Sequence, residues 1–205
     1  MLKENFKNLV QKFNQDISLQ ENLWIEIETY YSSKKRHYHN LSHLENLFKE
    51  LLPIQEKLED WDTIQFSIFY HDIIYKASRS DNEEKSALLA IERLKEIGYS
   101  NDLILKCNHQ IITTKSHEFS DSDSNYFTDA DLSILGKSWK TYSEYFQQIR
   151  KEYKIYPDFI YNPGRKKALH HFLKMDRIFK TDYFFEKYEI QARENLQKEL
   201  EFLDK

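Results

Sequence analysis

At 205 residues, 40% of them hydrophobic and 31% charged, the chain has the make-up of a globular protein and enough length for one sizeable core. Three glycines and three prolines exclude a glycine-rich phosphate loop, a dinucleotide fingerprint and the many turns of an all-β fold, so an all-α, single-domain helical bundle over residues 1–205 is expected. A net charge of −4 argues against bulk binding to nucleic acid or anionic lipid. No apolar leader opens the chain, and no run reaches the ~18 apolar residues of a membrane span. The single Cys107 fits a reducing compartment, so a cytoplasmic protein without a membrane partner is expected.

Apolar periodicity predicts two scaffold helices, one through Phe6, Val10 and Phe13 and one through Leu23, Ile27 and Tyr30, with a break at Asn14 to Ser18. In SSKKRHYHNLSHLENLFKELLP, Leu44, Leu47, Phe48, Leu51 and Leu52 form the stripe of a third helix ended by Pro53. His39 and His43, four apart, would project from the same side of it. Thr63 to Ala77, TIQFSIFYHDIIYKA, reads as a helix buried on most sides with His71 and Asp72 in its middle. Ser80 with Glu83, or Asp81 with Glu84, can form a capping box for the next helix, which Gly98 stops. A helix from about Asn101 to Thr114 carries His109. The polar loop KSHEFSDSDSN, with His117, should be mobile unless something binds it. YFTDADLSILG then predicts a short helix capped by Thr128, where Asp131 is either a first-turn carboxylate favoured by the helix dipole or a functional group. Long helices follow over Ser138 to Tyr156, after a turn at Asn162, Pro163 and Gly164, and from Thr181 to near the end.

An unpaired buried carboxylate beside an imidazole costs several kcal/mol, and the compensation is an ion pair, a hydrogen-bond network or a metal. His43, His71, Asp72 and Asp131 together offer two imidazoles and two carboxylates. That mixed nitrogen and oxygen set suits Mn, Fe, Co, Ni or Zn better than Ca, and leaves positions for water. Neighbours on a helix diverge by ~100°, so His71 and Asp72 share one ion lying between them, or Asp72 bridges two.

The order His43, then His71-Asp72, then Asp131 resembles the signature of the HD superfamily of metal-dependent phosphohydrolases. YHNLSH, Tyr38 to His43, is similar to the Tyr-His-Asn-x-x-His stretch of cyclic-nucleotide phosphodiesterases, and DADLS, Asp129 to Ser133, to their Ala-Asp-Leu-Ser. IRKEY, GRKK and ARENLQKEL resemble the tail of a bacterial group of HD phosphohydrolases. The resemblance implies a divalent metal (Mn, Fe, Co, Ni, Zn or Mg), one ion or two, held by His43, His71, Asp72 and Asp131. It implies hydrolysis of a small phosphoester, a nucleotide above all, by metal-activated water, with Asp72 in the catalytic centre and His39 as proton donor to the leaving group.

Two carboxylates roughly neutralise one divalent ion, so a phosphate substrate would need further cations. GRKK follows a Pro-Gly turn and would open a helix with free amides, which makes Arg165 the first expected phosphate grip; Arg36, His117 and Arg193 come after it. The absence of a Glu directly after His71-Asp72 departs from guanosine-tetraphosphate hydrolases. The alternative to an enzyme is a regulatory or ligand-binding module that keeps the HD fold without turnover.

Overall fold

The computed structural model describes residues 1–204. Among them the fold is all-α, with ten α-helices, two short 3₁₀ segments and no strand. They form two compact units, Met1–Thr128 and the residues from Asp129 onward.

The first unit holds α1 (Leu2–Gln11), α2 (Ile17–Tyr31), α3 (Leu41–Leu51), a 3₁₀ segment (Leu52–Lys57), α4 (Trp61–Tyr70), α5 (Asn82–Glu96), α6 (Asn101–Thr113) and the first turns of α7 (Ser122–Leu132). Its centre is α4, where every side chain from Thr63 to Tyr70 is buried. The helix packs against α1, α3, α5 and α6. Phe69 meets Phe6 edge-on at 4.9 Å and Phe48 at 5.3 Å, contacts that add to plain area burial. Polar groups on this buried helix are satisfied: Ser67 donates to Gln110 at 2.6 Å, and the Thr63 hydroxyl lies 2.7 Å from that of Tyr99.

Three expectations for α3 to α5 are corrected. The core helix ends at Tyr70 rather than Ala77, because side chains at the head of α5 take the next backbone groups: Ser86 accepts from the Ile74 amide at 3.0 Å, and Asn82 both accepts from and donates to the main chain of Lys76 at 3.0 Å. Helix α3 starts at Leu41, where extended Asn40 caps it through the Ser42 amide at 2.9 Å, so His39 precedes the helix instead of sharing it with His43. As expected, α3 ends ahead of Pro53, which sits at the start of the 3₁₀ segment that follows, where no amide is needed. No capping box forms at α5, since Asp81 makes no cap bond and pairs with Lys85 at 2.6 Å. Gly98 does end α5, with φ +79°.

Helix α7 begins within the stretch expected as a loop, capped by Asp121, which accepts from the Ser124 amide at 3.0 Å. Thr128 therefore lies mid-helix, its hydroxyl turned back to the Ser124 carbonyl at 2.8 Å, and Asp131 falls in the last turn. A carboxylate there opposes the helix dipole. The capping explanation for Asp131 is thereby removed.

The second unit contains a 3₁₀ segment (Ser133–Gly136), α8 (Trp139–Glu152), α9 (Asp158–Lys174) and α10 (Asp182–Leu203). Gly136 lies so close to Tyr188 that any Cβ would overlap it. The expected turn at Asn162 to Gly164 is absent: Pro163 and Gly164 lie inside α9, where the missing amide forfeits one bond, to the carbonyl of exposed Phe159. Buried Glu199 of α10 receives two bonds from Arg165, at 2.7 and 2.9 Å, and one from the Tyr142 hydroxyl. Arg193 donates to Glu189 at 2.7 Å and to the carbonyls of Leu173, Met175 and Asp176.

Breaking one side of a buried pair leaves the other charge stranded. Arg165→Met and Glu199→Ala should each lower the unfolding free energy by ~3–5 kcal/mol, measured by urea denaturation. The double variant should lose less than the sum, and strict additivity would mean the two side chains act independently.

Candidate metal centre

The centre begins with His71, the C-cap of α4, which is 1% exposed. Its Nδ1 lies 3.0 Å from the Ile68 carbonyl. Only N–H can satisfy that oxygen, so Nδ1 carries the proton and the Nε2 lone pair points away, the arrangement of a metal-ligating histidine. Facing it, 3.1 Å away, is Nε2 of His43 from the first turn of α3, 3% exposed. Two donors each ~2.1 Å from one ion stand about 3.0 Å apart at a right angle and about 3.4 Å apart at a tetrahedral angle. The separation of the two rings is that of neighbouring ligands. Without an ion, a proton must lie between them.

The Phe127 ring of α7 meets His71 edge-on at 5.6 Å, and Asp131 follows one helical turn later on the same face. Ligand atoms of His43, His71 and Asp131 all lie within 4.8 Å of one another, with both histidines buried and Asp131 half-buried, a group that could hold a metal ion. Asp72 lies beside it: one oxygen is 3.2 Å from His71 Nε2, 3.8 Å from His43 Nε2 and 3.9 Å from His39 Nε2. Burial opposes ionisation of Asp72, but when the imidazoles are protonated the charge of His71, then of His39, a bond from His71 and the charge of His43 hold its carboxyl well below the usual range. Three imidazoles thus surround a carboxylate that stays ionised.

His39 is half-buried beyond this set, its ring tilted 30° against Tyr75 at 4.1 Å and met edge-on by Tyr38 at 5.0 Å. The carboxyl of Glu83, in the first turn of α5, is pushed up by burial and, against its own backbone hydrogen bond, by the Asp72 charge.

The expected phosphate grips have other partners. Arg36 is buried and donates to the carbonyls of His39, Asp72 and Ile73 at 3.2, 2.6 and 2.7 Å. Arg165 is spent on Glu199, and Gly164 to Lys167 lie within α9, so the free helix-start amides expected there do not exist. Arg193 braces the chain before α10. His117 ends the α6 region with φ +52° and its amide on the Thr113 carbonyl, whereas His109 is exposed and bonded to Ser120 at 2.7 Å. Sequence reasoning missed the Ile68 carbonyl and Phe127, neither of which has a side-chain signature of ligation. No family model, curated protein or solved structure matches the chain.

Ligand removal is checked by titrating cobalt(II) into metal-free protein. Asp131→Asn and His43→Ala should each weaken binding beyond the ~10–100-fold typical of an outer-sphere change; wild-type affinity in Asp131→Asn would deny Asp131 a ligand role. Because each imidazole must shed its proton to bind, affinity should fall as pH is lowered through the histidine range, ~7 to 5. A pH-independent affinity would exclude imidazole ligands.

Proposed function

We propose that the protein is a metal-dependent phosphohydrolase of the HD type acting on a small phosphoester, with nucleotides the first class to examine. The observation that carries this reading is the pair of facing Nε2 atoms with a carboxylate on either flank, in the chain order His43, His71-Asp72, Asp131. His43, His71 and Asp131 would hold a divalent ion with Asp72 as fourth ligand, and the nitrogen and oxygen donor set fits Mn, Fe, Co, Ni or Zn. When bound, such an ion lowers the pKa of a coordinated water toward ~7 and so furnishes a nucleophile at neutral pH.

The chain's own residues supply the rest. His71 keeps its ring fixed by donating from Nδ1 to Ile68, and Phe127 shields it. Asp72, held ionised, offsets the charge of the ion and stabilises a proton on His39 Nε2, 3.9 Å away. From that nitrogen the proton can pass to the leaving oxygen, since His39 is the more open of the imidazoles and its ring is steadied by Tyr75.

A second reading, a ligand-binding or regulatory module without turnover, is favoured by one observation: Arg36, Arg165 and Arg193 are all committed to partners in the fold. Protein purified without added metal, assayed for bound transition metals and then against mono-, di- and cyclic nucleotides with Mn, Co, Ni and Mg, separates the two. The enzyme reading expects near-stoichiometric metal with turnover, and metal without turnover would favour the module. His39→Ala should keep the metal and lose turnover by ~10²–10⁴-fold; loss of the metal would make His39 a ligand instead.

A further inference from the structure

Asp72 lies outside any regular element. Helix α4 ends at Tyr70, and the turn after it is closed by one main-chain bond, from the Ile73 amide to the Tyr70 carbonyl at 3.2 Å. A ligand set needs its donors fixed to within about half an ångström, so something else must hold this turn. Arg36 does so. One guanidinium nitrogen bonds the Asp72 carbonyl at 2.6 Å and the His39 carbonyl at 3.2 Å, and the other bonds Ile73 at 2.7 Å. The guanidinium is 4.8 Å from the centre of the Tyr31 ring and 5.7 Å from that of Tyr75, the ring that packs against His39.

We propose that Arg36 is the positioning residue of the metal centre: its fork ties the segment bearing His39 to the turn bearing His71 and Asp72 and fixes the spacing of their donors. This rests on the metal reading above. The chemistry fits the task. A guanidinium presents planar, divergent donors that reach carbonyls from two segments at once, whereas an ammonium is a point charge on a flexible stem. All hydrogen bonds of this buried cation go to main-chain oxygens. Burying a cation without a carboxylate is costly; two of its acceptors are carbonyls of the turn just past α4, near the helix end whose dipole favours positive charge.

A cap that merely stabilised α4 would change the melting temperature and nothing else. The test uses full-length Arg36→Lys and Arg36→Met, stripped of metal and titrated with cobalt(II), whose visible bands report coordination geometry, beside thermal unfolding of the metal-free proteins. Arg36→Lys, which keeps charge and stem, should stay folded by circular dichroism yet bind cobalt(II) ~10–100-fold more weakly with altered bands. Arg36→Met should lose as much or more; if it does not fold, Arg36→Lys carries the test alone. Wild-type affinity and bands in folded Arg36→Lys, whatever its melting temperature, would overturn the positioning role and leave the metal reading intact. Failure of the wild-type protein to bind cobalt(II) would overturn the metal reading, and the positioning role with it.

Discussion

Two imidazole nitrogens held 3.1 Å apart inside a helical core are the constraint around which the first unit is arranged. With Nδ1 of His71 committed to Ile68, its lone pair points at His43, and that approach calls for a proton on His43 Nε2 or a metal ion between the rings. The helices favour the metal ion from another direction. His71 and Asp72 follow the C-terminal end of α4, and Asp131 occupies the last turn of α7. Carboxylates at such ends meet the negative pole of the helix dipole and are destabilised there. A cation reverses the sign of both effects at once.

Other buried carboxylates in the chain are handled differently, and the contrast is informative. Asp123 accepts from the amides of Glu59 and Asp60 and from Lys106. Asp129 accepts from the amides of Lys180 and Thr181, and Glu189 from those of Ile178 and Phe179. Each pins the chain just ahead of a helix, with its charge offset by N–H groups. Asp72 faces imidazoles instead. Amide-bonded acids build the scaffold, and the imidazole-facing acid stands apart from them.

Helix content and most helix positions were legible in the sequence because apolar periodicity, Gly98 and caps such as Thr181 act locally. Some errors come from local caps that periodicity does not reveal, as at Asn40 and Asp121, and others from side chains further along the chain. Nothing near Ala77 announces that Asn82 and Ser86 will take its neighbours' backbone groups, and nothing near Pro163 announces that α9 tolerates it. The candidate ligands were legible as residue types in an order, since buried His and Asp need a reason wherever they fall. Arg36 was legible as a cation near the site but not in its role: as a phosphate grip it would face solvent, and the fold turns it inward onto three carbonyls. The spacing from Arg36 to His39 carried no information about that direction.

The account depends on a metal held by residues from α3, the end of α4 and α7. Diffraction from crystals of the metal-loaded protein, recorded at the absorption edge of the metal it retains, tests this most directly. A single anomalous peak ~2.0–2.3 Å from His43 Nε2, His71 Nε2 and an Asp131 oxygen is the predicted result. A peak bound elsewhere, or none at that position with the His43 and His71 rings still in direct contact, would contradict it.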